Sequence, residues 1–104
     1  MRLCAVLTAV AALWGSVQVA KAASAERGLT FARLNCARCH SIDKLSESTL
    51  KIAPPFRELH KRYPVETLEE AFAEGIVTGH PTMPEFRLDP DQIGDLIAFM
   101  KTLE

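Results

Sequence analysis

The sequence predicts an all-α fold, and three observations carry that expectation. Stretches around 24–35, 65–75 and 89–103 space their apolar residues at i, i+3 and i+4 and are flanked by helix start or stop signals. No stretch alternates apolar and polar residues over the length a strand needs. A pentapeptide in the first half, Cys36-Ala37-Arg38-Cys39-His40, is suited to fastening a large group into a chain that is short for a core of its own.

The chain has 104 residues, room for one domain, and residues 1–22 read as a secretory leader. Arg2 is a minimal basic start, Leu3 to Trp14 is almost unbroken apolar sequence, and Ala20-Lys21-Ala22 is an A-x-A cleavage site before Ala23. The competing reading is an uncleaved membrane anchor. Gly15, Ser16, Gln18 and Lys21 dilute the run of about 20 apolar residues that a span requires. Cleavage would leave residues 23–104 as an exported, periplasmic domain without a membrane span. Cys4 and Trp14 would go with the leader, so both remaining cysteines lie in the pentapeptide. A domain this small is marginal by itself, and an apolar prosthetic group would supply the missing buried surface.

Each helix has a local reason. Ser24 is a candidate N-cap for a helix to Asn35, Glu26 suits its positive end, and Gly28, Phe31 and Ala32 share one face. A helix-interior glycine costs about 1 kcal/mol relative to alanine, so close approach by another helix is expected at Gly28. Ser41 to Ala53 has no sustained period and reads as a loop. Ala53 and Pro54, each before a proline, are pushed toward extended conformations, and Pro55 can start a short helix, Phe56 to Tyr63, stopped by Pro64. A third helix runs from Val65 to Gly75, with Leu68, Ala71, Phe72 and Ile76 as its apolar stripe and Gly75 as its terminal cap. Val77 to Leu88 is a loop holding His80 and Met83. Asp89 as N-cap, Pro90 at the first helical position and Gln92 as the capping-box partner open a last helix to about Leu103. Ile93, Leu96, Ile97 and Met100 form its apolar face.

The pentapeptide reads C-x-x-C-H, the attachment signature of a c-type haem. Its thiols sit one turn apart, each placed to add to a haem vinyl group, and the imidazole that follows then lies under the iron. Two other readings compete. A redox dithiol of the thioredoxin kind wants a βαβ context that is missing here. A closed zinc site wants four ligands, and only His60 and His80 remain to complete it. A plain disulfide between Cys36 and Cys39 is sterically poor at this separation.

With His40 on one side of the iron, the second ligand decides the class of function. An open site binds oxygen, peroxide or other small ligands, whereas a filled one exchanges an electron with little rearrangement. Met83 is the favoured candidate. It precedes Pro84 in a proline-stiffened loop flanked by polar residues rather than core, and a soft thioether favours ferrous iron and raises the potential. His80 would give a lower-potential bis-histidine centre. His60, on the polar side of a short helix, is expected to be solvated.

In order and at this spacing, Gly28 and Phe31, the Cys36–His40 motif, Pro54-Pro55, and Met83-Pro84 ahead of Leu96-Ile97-Ala98-Phe99 resemble a small monohaem class I cytochrome c of the proteobacterial periplasmic kind. The resemblance covers residues 23–104. It implies the cytochrome c fold, three longer helices and a short one wrapped around one covalent haem c. It further implies thioethers from Cys36 and Cys39, with His40 and Met83 as axial ligands. A proline carbonyl is expected on the outer nitrogen of His40, Pro55 matching best and Pro54 second. Gly28 and Phe31 would pack across Phe99. Many relatives place a tryptophan beside a haem propionate. The mature domain has none, and Tyr63 or Arg57 are the candidates to replace it.

The function expected is electron transfer without transformation of a substrate. The donor would be a dehydrogenase or cytochrome complex, the acceptor an oxidase or reductase, and the carrier a monomer forming transient complexes with no nucleic-acid partner. A haem peroxidase or small-ligand sensor, with His80 and Glu85 as its acid–base pair, is the reading from another class, and a dedicated subunit of one dehydrogenase is a third. Charge is uneven: residues 23–62 hold eight bases against four acids, and residues 63–104 nine acids against two bases. Arg38, Lys44, Lys51, Lys61 and Arg62 would give a basic rim for an acidic partner.

Overall fold

In a computed structural model, residues 12–16, 22–76 and 82–104 are described. Most of residues 1–22, expected to be a leader, and the stretch 77–81, with His80, lie outside them. The described elements are α1 (Ala25–Asn35), α2 (Phe56–Leu59), a 3₁₀ turn (Val65–Thr67) running into α3 (Leu68–Glu74), and α4 (Pro90–Lys101). Among the described residues there is no strand, only an isolated antiparallel bridge between Ile76 and Phe86. The fold is the all-α one expected. No helix among them is long and apolar enough to cross a membrane.

The caps act where the sequence places them. Ser24 Oγ accepts from the Arg27 N–H at 3.2 Å and starts α1. Asp89 starts α4, with its N–H donating to the Gln92 side-chain oxygen at 3.1 Å and Pro90 at the first helical position. Gly75 ends α3 at φ 105°, a left-handed backbone that favours glycine. Two helices are shorter than expected. After Leu59 the chain relaxes into turns, with Lys61 N–H on Glu58 O and Arg62 N–H on Leu59 O, because Pro64 cannot donate to continue the ladder. α4 likewise ends at Lys101 in three-residue turns, Thr102 N–H on Phe99 O and Leu103 N–H on Met100 O.

The frame is the crossing of α1 and α4. A Cβ added at Gly28 would run into the backbone carbonyl of Asp95 and come within 2.7 Å of Phe99 Cβ, so the glycine is what lets the helices meet. Asp95 reinforces the crossing from inside. Its carboxylate is almost buried and accepts from Ser24 N–H at 2.8 Å, Arg27 Nε at 2.8 Å and Arg27 Nη2 at 3.0 Å. Ala32, Phe56, Leu59, Val65, Phe72, Ile93, Leu96, Ile97, Phe99, Met100 and Leu103 form one core, with Phe31, Cys36 and Phe86 packed on its margin.

Candidate cofactor site

Cys36 is the C-cap of α1, its N–H bonded to Ala32 O at 2.8 Å. The motif winds on from there: Cys39 N–H and His40 N–H both donate to Cys36 O, at 3.2 and 3.0 Å. Cys36 and Cys39 are free thiols, both half-buried. Loss of solvent pushes the Cys36 thiol up to about 11.

His40 is held through one nitrogen. Its Nδ1 lies 2.7 Å from the carbonyl of Pro54. A carbonyl only accepts, so Nδ1 carries the proton and Nε2 keeps its lone pair for a metal. The ring also rests against Phe56, centroids 5.2 Å apart and planes tilted by 48°. The expectation favouring Pro55 is corrected here by one residue. The Pro55 carbonyl accepts from Glu58 N–H at 3.0 Å as α2 begins, and the carbonyl before it serves His40.

The segment after His40 is laced to the start of α2. Phe56 N–H donates to Ser41 O at 2.9 Å, and Leu50 N–H returns to Cys39 O at 3.1 Å. Asp43 caps its own turn, accepting from Leu45 N–H and Ser46 N–H at 2.7 and 2.6 Å. Those bonds, with the Ser46 hydroxyl foremost, hold its carboxyl down at about 2. Arg57 is committed to this segment, with bonds to Ser46 O, Asp43 O and Ser41 Oγ.

Met83 belongs to the segment between α3 and α4. Ile76 N–H bonds Phe86 O at 2.9 Å, Leu88 N–H bonds Phe72 O at 2.9 Å, and Arg87 donates to Glu74 O from Nε and Nη2 at 3.2 and 2.9 Å. Arg87 thereby satisfies a terminal carbonyl of α3 and ties down the segment that carries Met83. Met83 is half-buried. His60 departs from its expected solvation. Its ring is half-buried with Nδ1 enclosed and unpaired, beside a polar depression formed with Lys61, Arg62 and Tyr63.

Cys36, Cys39, His40, Pro54, Tyr63, Met83 and Pro84 all border one cleft of about 260 Å³, whose remaining walls are mainly Phe31, Leu59, Leu68, Phe72, Phe86, Leu96 and Met100. Protein interiors hold few voids larger than a water molecule, so a cleft of this size in so small a domain has the proportions of a binding site. Two thiols, an imidazole with a fixed tautomer and a thioether around apolar walls form a donor set that could hold a haem. Glu85 does not border the cleft; its carboxylate lies against Gly75. Among the described residues, which do not include His80, no cluster of His, Cys, Asp and Glu is arranged to hold a metal ion by itself.

Fold and site together define a small helical domain with an apolar cleft bordered by side chains able to hold a prosthetic group. The family model described as Cytochrome c matches residues 25–104, and the chain belongs to the cytochrome c family. Members of that family bind haem c covalently and use it for electron transfer. A search of curated proteins gave no match.

Proposed function

We propose that this chain is an exported, periplasmic single-electron carrier that holds one haem c and transforms no substrate. Residues 1–22 are its leader, and the working domain begins at Ala23. Cys36 and Cys39 would supply the thioether sulfurs, and His40 and Met83 would hold the iron. When bound, the haem supplies a reversible one-electron couple. His40 donates its Nδ1 proton to Pro54, which makes the ring a stronger ligand and fixes its plane. Met83 provides the soft sulfur that favours the reduced state. The apolar walls keep water from the centre.

The observation that carries this reading is the convergence of Cys36, Cys39, His40 and Met83 on one apolar cleft, with His40 held by Pro54 in the tautomer that leaves Nε2 available. Donor and acceptor are redox proteins: a dehydrogenase or cytochrome complex on one side, an oxidase or reductase on the other. Arg38, Lys44, Lys51, Lys61 and Arg62 are all exposed, as a basic docking rim requires.

The test is a visible spectrum of the purified chain, oxidised and reduced, with a pyridine haemochrome and an intact mass. The expected result is one covalent haem on a chain starting at Ala23, slow to bind cyanide or carbon monoxide. Met83→Ala should abolish the weak red charge-transfer band of ferric His/Met haem and open the iron to both ligands. A band that survives the substitution removes Met83 from the site. Rapid ligand binding by the unmodified protein favours a peroxidase or sensor instead.

A further inference from the structure

Three ties follow one another between the chain at His40 and the chain at α2. His40 Nδ1–H bonds Pro54 O at 2.7 Å, Phe56 N–H bonds Ser41 O at 2.9 Å, and Arg57 Nη1 bonds Ser41 Oγ at 3.2 Å. Arg57 goes further than this lacing. Nη1 also reaches Ser46 O at 2.6 Å and Asp43 O at 3.3 Å, carbonyls of the turn that Asp43 closes with its own carboxylate. Ser41 is buried, and its N–H and hydroxyl are satisfied by Ser48 Oγ and Ser46 Oγ, both at 3.0 Å. The residue next to His40 thus has little room to shift unless Arg57 lets go. The Nη1 end of the guanidinium, engaged with two backbone carbonyls and a buried hydroxyl, acts as a structural brace.

We infer that Arg57 is a positioning residue for His40, holding the Ser41–Ser46 turn against α2 so that the Pro54 carbonyl stays on His40 Nδ1. The inference rests on His40 as an iron ligand, and it makes a prediction about sign. A strong bond from Nδ1–H to a carbonyl raises the basicity of a ligating imidazole and stabilises the oxidised metal. Loosening the brace weakens that bond and should raise the reduction potential. Simple loss of a positive charge near the haem does the opposite, since it favours the more positive oxidised state.

The experiment uses the full chain matured with haem, comparing the wild type with R57Q, R57K and S41A by redox titration, with the red charge-transfer band checking that Met83 ligation persists. Both Arg57 variants should move the midpoint upward with the band retained, because lysine keeps the charge but its nitrogen ends one bond short of Nη1, the single atom that makes all three contacts. S41A, which removes one of the three acceptors, should move it the same way by less. A downward shift in R57Q with R57K at the wild-type value would overturn the inference and leave only a charge effect. Unchanged potentials in all three would overturn it as well. If R57Q does not accumulate, R57K and S41A decide by the same criterion. A chain that carries no haem refutes the reading of the site itself, whereas a loaded chain with an unmoved potential refutes only the role of Arg57.

Discussion

Two glycines on the same pair of helices show how much one Cβ can weigh. Gly28 stands where a side-chain carbon would meet the carbonyl of Asp95, part of the α4 backbone, which cannot turn aside. At Gly94 the nearest obstacle is Ala23 Cβ at 3.6 Å, an ordinary contact. Alanine gains about 1 kcal/mol of helix propensity over glycine at either position. At Gly28 overpacking costs about 1–3 kcal/mol and commonly more against backbone, so the steric effect wins. Gly28→Ala should therefore destabilise the haem-loaded protein by about 2 kcal/mol in guanidinium denaturation. Gly94→Ala should be neutral or stabilising by up to about 1 kcal/mol. Equal effects from the two would mean that the crossing is not held by contact at Gly28.

At the scale of elements, α3 and the segment after it behave as a unit. Arg87 on Glu74 O, the Ile76–Phe86 bridge and Leu88 on Phe72 O fasten both ends of the stretch that presents Met83. Arg87→Gln removes the charged tie and leaves Met83, the proposed ligand, intact. Its expected consequence is tighter binding of added imidazole to the ferric protein, on the order of tenfold for about 1.4 kcal/mol of lost restraint. An unchanged imidazole titration would show that the backbone pairs suffice. What the sequence reveals about these elements is what acts locally. Ser24, Asp89, Pro90, Gln92 and Gly75 are legible because a cap works within one turn of its helix. Gly28 is legible as an unexplained cost. Asp95 is not legible: it sits on the inward side of α4, and its partner Arg27 is 68 residues away in the chain. Arg57 and Arg87 are hidden for another reason. Their acceptors are backbone carbonyls, which every residue carries, so no residue type announces the contact. The choice between Pro54 and Pro55 turned on which carbonyl α2 takes for its first turn, and that depends on a helix start resolved to a single residue.

For the molecule as a whole, the cleft sets the terms. Without the group, the apolar side chains lining the cleft of about 260 Å³ would face water instead of a packed partner, a loss that weighs heavily against a total stability of about 5–15 kcal/mol. A chain carrying Cys36→Ala and Cys39→Ala, purified colourless, should lose most of its helical circular dichroism or melt without a sharp transition. A cooperative melt at the temperature of the haem-loaded protein would show that the helices close without the group. The uneven charge belongs to this scale too. The basic residues cluster before position 63 and the acidic ones after it, and the exposed Glu66, Glu69, Glu70 and Glu74 run along the 3₁₀ turn and α3.

The meeting of α1 and α4 also sets an order of events in time. The first helix has its partner only after everything between them has been made, and closing so long a loop is slow compared with winding a helix. Until then Cys36 and Cys39 lie on an open polypeptide, within reach of whatever machinery must act on them. Once the crossing locks, they face inward along the cleft.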